Sequence, residues 1–133
     1  MDHNLDSVAA QALEQTGSAS AAIFVRDASG DLQLAGVAGI SGAPLEGLVS
    51  AVRDPNHPVT RTARDGQAGF DVTPIAPGGP ALRTHVPLRD KAAPGAAIGV
   101  LALAHQLPLT ADQRKSAIDL ADEASRQVAS PAK

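Results

Sequence analysis

No cysteine, tryptophan or tyrosine occurs in the 133-residue chain, and phenylalanine occurs only twice, as Phe24 and Phe70. Without cysteine there can be no disulfide, thiolate nucleophile, Cys-ligated metal or thioether-linked tetrapyrrole. Without more aromatics the core must come from Val, Leu, Ile and closely packed Ala, and an internal site would offer flat ligands little to stack on. A charge surplus of useful size is lacking too. Eleven Lys and Arg against fourteen Asp and Glu give a net charge of -3, which leaves no basic footprint for nucleic acid or an anionic membrane. No apolar run approaches the ~20 residues that span a bilayer. Met1-Asp2-His3-Asn4 is polar where a secretory signal needs a basic and then an apolar stretch. These absences predict a soluble, cytoplasmic chain with neither nucleic acid nor membrane as partner.

The residues that are present fall into short, legible patterns. Leu5, Val8, Ala9, Ala12 and Leu13 recur at helical spacing, with Asp6 and Ser7 as starters and Gly17 as a stop. Ala19 to Asp27 reads as a strand and Ala28-Ser29-Gly30-Asp31 as a hairpin turn. Leu32, Leu34, Gly36 and Ala38 then alternate along a second strand. Leu45, Leu48, Val49 and Val52 predict a helix ended by Asp54-Pro55. Pro58 opens another, carrying Val59, Thr62 and Ala63 and stopped by Gly66. Phe70-Asp71-Val72 centres a third strand, and Pro74 to Pro80 is a loop.

Leu82, Thr84, Val86 and Leu88 share one face of a fourth strand, with Arg83, His85 and Arg89 on the other. Pro87 within it predicts an edge position or a bulge. Asp90 to Gly95 reads as a second hairpin turn. Ile98 to Ala104 is apolar on both faces, so it belongs in the middle of a sheet. Thr110 caps a last helix that packs through Ala117, Ile118, Ala121, Ala124 and Val128. This order predicts an α+β fold with an antiparallel sheet of five to six strands, not a doubly wound parallel sheet. One domain is expected over residues 5–129, with residues 1–4 and 130–133 loose.

Reaction chemistry is hard to find. His3, His57, His85 and His105 show neither His-x-x-x-His nor a second ligand at metal spacing, so no metal site is predicted. The plainer reading of His85 and His105 is a surface or strand-end imidazole. Asp54-Pro55-Asn56-His57 brings a carboxylate near an imidazole, but a turn followed by a helix start explains it. His57, Arg61 and Arg64 fall at i, i+4, i+7, either a solvated helix face or a receiver for an anionic head group. No Gly-x-Ser-x-Gly, phosphate loop or Gly-x-Gly-x-x-Gly is present, and Ser41, Ser50 and Ser116 have no neighbouring His and Asp. The chain is therefore expected to have no catalytic residues and no cofactor, and not to be an enzyme.

Four stretches in one order carry a resemblance. They are Ala22-Ile23-Phe24-Val25-Arg26-Asp27 with Gly30 and Leu32 to Gly39; Pro58-Val59 through Arg64-Asp65-Gly66-Gln67; Leu82-Arg83-Thr84-His85-Val86-Pro87-Leu88 joined to Ile98-Gly99-Val100-Leu101-Ala102-Leu103; and Leu109-Thr110-Ala111-Asp112. Together the chain from about Leu5 to Ala129 resembles the GAF domain family, small sensory and regulatory modules. The resemblance implies N- and C-terminal helices on one sheet face and short helices and loops over the other. Where the family's cyclic-nucleotide binders carry Asn-Lys…Phe…Asp-Glu, this chain has His105-Gln106 and no Phe, so cyclic GMP binding is not implied. The family's methionine sulfoxide reductases use cysteines, and its bilin binders use cysteines or aromatics, all missing here.

What the resemblance implies is a non-catalytic module that binds a small molecule between the sheet and the short helices, and signals through its terminal helices. Leu45, Leu48, Val49, Val52, Val59 and Phe70 would wall the pocket, with Arg61, Arg64 and Asp71 as its polar groups. Expected partners are that small molecule, an effector domain (a kinase, cyclase or transcription regulator) and a second copy. The homodimer would join through residues 5–16 and 112–129, with Ala121 and Ala124 at the contact. The alternative is a degenerate module that only dimerises or binds a protein.

Overall fold

The computed structural model describes residues 5–27, 29, 31–40, 42–54, 56–72, 82–89 and 97–129, and all structural statements concern these. Their order is α1 (Asp6–Thr16), β1 (Ser20–Arg26), β2 (Leu32–Ala38), α2 (Gly42–Ala51), α3 (Pro58–Asp65), β3 (Gly69–Val72), β4 (Leu82–Arg89), β5 (Ala97–His105) and α4 (Ala111–Ala129). The loop from Pro74 to Pro80, the turn from Asp90 to Gly95, Ala28 and Gly30 of the first turn, and both termini lie outside the described residues.

The five strands form one antiparallel sheet in the order β2-β1-β5-β4-β3. β5 takes the centre, as its apolar residues on both faces require. Leu101, Leu103, Val86, Leu88 and Ile23 face a core closed by Val8, Ala9 and Ala12 of α1 and Ala117, Ala121 and Ala124 of α4. Ala22, Phe24 and Val100 face a second core with Val52 beyond α2 and Val59 and Ala63 of α3. The terminal helices therefore share one face, and the short helices cover the other.

Local chemistry explains where the elements start and stop. Thr110 and Gln113 form a reciprocal capping box. The Gln113 N–H donates to Thr110 Oγ1 at 3.1 Å, and the Thr110 N–H donates to Gln113 Oε1 at 2.8 Å. α1 starts differently. Its first residues make no side-chain cap, and instead the Leu5 N–H donates to Ala35 O while Asp6 Oδ1 accepts the Val37 N–H. Helix α1 is thus tied to β2 before its first turn. The hairpin turn is organised by Asp27, whose Oδ1 accepts the N–H groups of Ser29 and Asp31.

Two expectations need correction and a third holds. Leu32, Leu34, Gly36 and Ala38 do not share a face, because the pairing shifts between Ile23↔Gly36 and Phe24↔Leu34. This bulge turns Leu32 and Leu34 to the α3 side and Ala38 to the α1 side. Pro87 does hold the expected edge position: β4 lies between β5 and β3, but among the described residues β3 pairs no further along β4 than Gly69↔His85, so Pro87 lies past its end and owes it no N–H. Finally, Ala121 and Ala124 are core residues rather than contact residues, at 1% and 0% exposure. Glu at either position would bury a carboxylate and break the fold, not split a dimer.

Gly36 sets how closely α1 approaches the sheet. A Cβ there would lie 2.5 Å from the backbone carbonyl of Leu5, an overlap that backbone cannot relieve cheaply. Gly36→Ala should therefore cost about 2 kcal/mol or more of folding stability, as overpacked cores do. Urea denaturation would check this, and a loss under about 0.5 kcal/mol would mean that α1 shifts freely.

Candidate functional site

The residues named from sequence do not all meet. Val52 and Val59 are buried on the α3 side, with Leu48 and Val49 packed against the same core. Leu45 is half-buried farther back on α2. Arg61 and Arg64 point outward, and the guanidinium of Arg64 sits 3.4 Å from Asp65 Oδ1 at the surface. Phe70 packs against the opposite core, under the guanidinium of Arg114 at 5.1 Å. Asp71 is also there, engaged with α4. No single pocket on the short-helix side can hold all nine residues, because Phe70 and Asp71 lie on the α4 side and Arg61 and Arg64 are exposed on α3.

Asp71 instead organises a polar cluster under the start of α4. Its backbone is left-handed (φ 58°), a conformation that Asp tolerates better than most residues. Its Oδ1 accepts the Leu109 N–H at 2.9 Å, and its Oδ2 accepts from Arg114 Nη2 at 2.6 Å. Burial pushes this carboxyl up, but the Leu109 N–H, Arg114 and His105 outweigh it and hold Asp71 below the usual carboxylate range. The buried ring of His105 continues the cluster. Its Nδ1 lies 2.8 Å from Leu107 O, which can only accept, so Nδ1 carries the proton. Nε2 then accepts from the Thr84 hydroxyl at 2.8 Å, and Thr84 Oγ1 accepts the Asp71 N–H at 3.3 Å. Every donor here has an acceptor, which makes the cluster a lock between β3, β4, β5 and α4 rather than a reacting centre.

The other face has a different character. His85 is only 5% exposed, and it has no hydrogen-bond partner among the described residues. In the sheet it stands between Gly69 of β3 and Ala102 of β5, and Ala102 in turn faces Ala22 of β1. From β3 to β1 the residues on that line other than His85, which lies beneath α3, are small. Among the described residues no buried side-chain nitrogen or oxygen is both sealed from solvent and unbonded. The unbonded ring nitrogens of His85 therefore keep a trace of contact with solvent.

Two further nitrogen groups act on His85. His57 caps α3, its Nδ1 accepting the Val59 N–H at 3.2 Å, and Arg83 is two residues from His85 along β4, half-buried. Burial, then His57, then Arg83 lower His85 from 6.5 to about 4. Burial lowers His57 as well, with Asp54 opposing, and burial lowers Arg83. Sequence reading passed over His85 because strand alternation alone cannot say how deep a residue lies. The signal available was the run of small residues at Ala102, Ala22 and Gly69, which is visible only once the strand order is known.

The burial of His85 has a consequence for stability. Below pH 6.5 the unfolded chain takes up a proton at this ring that the folded chain refuses down to about pH 4. Stability contributed by the neutral ring is therefore present above the unfolded value and lost as pH falls through that window. His85→Leu should flatten the decline between about pH 7 and about pH 4.5, measured by urea denaturation at each pH. Parallel curves for the two proteins would contradict it.

Comparison with known proteins now has a geometry to rest on. No protein-family model matches the chain, nor does any curated protein match it by sequence. Solved structures do. The second GAF domain of DevS from Mycobacterium smegmatis superposes with a TM-score of 0.72 at 27% identity, covering 94% of this chain and 91% of that one. Another structure, of the GAF-B domain of DevS from the same organism, gives 0.67 and 28% over the same shares. A free methionine-R-sulfoxide reductase from Thermoplasma acidophilum gives 0.69 at 12%, covering 92% and 87%, a likeness of fold alone. The fold thus carries both regulatory and catalytic proteins, and function must be argued from the residues. The chain shares its fold with GAF domains, to which it is similar over nearly its whole length.

Proposed function

We propose that residues 5–129 form one non-catalytic sensory or regulatory domain that binds a small molecule between the sheet and α2–α3 and signals through α1 and α4. One observation carries this reading. The face under α1 and α4 is closed by a continuous core and a satisfied polar lock, whereas the face under α3 keeps a buried, unbonded His85 over a row of small residues. The apolar wall is Leu48, Val49, Val52 and Val59, with Leu45 at its outer end. Phe70, Asp71, Arg61 and Arg64 are outside it. The absence of cysteine and of any group of three His, Asp or Glu among the described residues that could hold a metal supports the non-catalytic role. Among the described residues no helix is long and apolar enough to cross a membrane, which fits a cytoplasmic module beside an effector such as a kinase, cyclase or transcription regulator.

The route from pocket to helix is short. Gly69 pairs with His85, and two residues later Asp71 holds Leu109 and Arg114 at the start of α4. A ligand signals if it binds one position of β3 more tightly than another, since only differential affinity shifts such an equilibrium. A metabolite screen by thermal shift should find a compound that raises Tm, by roughly 4 °C at saturating concentration. Ala102→Leu, which would enlarge the side chain beside His85, should abolish the rise. A rise that survives this substitution would put the site elsewhere.

The second reading, a module that pairs with its own kind, is favoured by one surface. Ile118 is 42% exposed on α4, on the outward side of the helix that packs beside α1. An isologous contact through the terminal helices would cover it. Ile118→Glu should then convert a dimer to a monomer in sedimentation without loss of helicity. A wild-type chain that stays monomeric at high concentration would rule this contact out.

A further inference from the structure

The two faces of the sheet meet at Arg89, the last residue of β4. β4 pairs with β5 as far as Leu88↔Gly99 and then passes to Arg89↔Ala97, a bulge that re-aims the end of the strand. From there the guanidinium reaches the α3 side, where Nη2 donates to Gly66 O at 2.6 Å. Gly66 is the left-handed cap of α3 (φ 69°), and its own N–H donates to Thr62 O at 2.8 Å. A cation at the carbonyl end of a helix is favoured by hydrogen bonding and by the helix dipole together. Arg89 is therefore part of how α3 ends.

The backbone of the same residue is held from the other face. Arg89 O accepts from the hydroxyl of Ser125, a buried residue late in α4. A serine inside a helix often returns its hydroxyl to a carbonyl of the preceding turn. Ser125 directs it to the strand instead. No strand competes for that side of Arg89, since among the described residues β3 pairs no further along β4 than Gly69↔His85. Side chain and carbonyl of one residue thus tie the end of α3 to the late turns of α4, two helices on opposite faces of the sheet. Asp71 holds only the start of α4, so Arg89 is a separate connection. It needs no bound molecule, and so stands or falls independently of the pocket reading.

We propose that Arg89 couples α3 to α4, so that loosening the end of either helix loosens the other through this one residue. Ser125→Ala breaks the α4 side alone. Arg89→Met breaks the α3 side alone, because it keeps the backbone carbonyl and an unbranched stem. The full chain, isotope-labelled, would be followed by amide hydrogen exchange in the two variants and their combination. The Gly66 N–H reports on the end of α3, and the N–H groups of residues 124–127 report on α4. The Val52 N–H, bonded to Leu48 O, and the Ala9 N–H, bonded to Leu5 O, are controls on the two faces. Ser125→Ala should speed exchange at Gly66 by about threefold over that at Val52, a fraction of one hydrogen bond's worth. Arg89→Met should do the same at residues 124–127 relative to Ala9. In the Arg89→Met chain, adding Ser125→Ala should leave the Gly66 rate where Arg89→Met has put it. Equal acceleration at Gly66 and Val52 would mean a general loss of stability and would overturn the coupling. So would a Gly66 rate indifferent to Ser125→Ala, or one that responds as strongly when Arg89 is already Met. If Arg89→Met does not fold, the comparison of Gly66 with Val52 in Ser125→Ala decides alone.

Discussion

Val100 and Ala102 point to one core while Leu101 and Leu103 point to the other, and that two-sidedness of β5 places everything else. A strand without a polar face must have neighbours on both edges and helices above and below. β1 and β4 supply the neighbours. The terminal helices cover one side and the short helices the other. Because both cores share the same three inner strands, a displacement on one side cannot be absorbed without being felt on the other.

The two sides are built with different chemistry. Under α4 the polar groups are matched one to one: Asp71 to Leu109 and Arg114, Thr84 to His105, His105 to Leu107. Such a fully satisfied network rigidifies its surroundings, since a partial one in a low dielectric is costly. Under α3 the polar groups are of one kind and His85 has no mate, so that side is held mainly by apolar contacts of Val52, Val59 and Ala63. Arg89 joins the two halves. Its guanidinium donates to Gly66 O at the end of α3 at 2.6 Å, and its carbonyl accepts from the Ser125 hydroxyl of α4.

Much of this architecture was legible in the sequence. Apolar spacing and turn residues located the described elements, the double-sided β5 predicted the centre of the sheet, and Thr110 foretold the start of α4. The pocket was harder to read. Phe70 and Asp71 look like continuations of the short-helix region in the chain, but the left-handed residue at Asp71 and the irregular pairing of β3 send them to the other face. Arg61 and Arg64 share a helix face with His57 by spacing, but only His57, as the cap, turns inward. Depth was the missing quantity. Whether His85 or Ala121 is covered depends on which strand or helix crosses over it, and this is a property of topology rather than of local pattern.

The early end of β3 bears on how copies of this protein can meet. Past Gly69 the outer side of β4 has no strand paired to it among the described residues, the kind of edge along which sheets extend by adding a strand from another molecule. Pro87 occupies that stretch and has no N–H to offer, and the charged Arg89 follows it. A strand docking there would lose a ladder bond and meet a guanidinium. That stretch of β4 is thereby protected against strand addition from another copy.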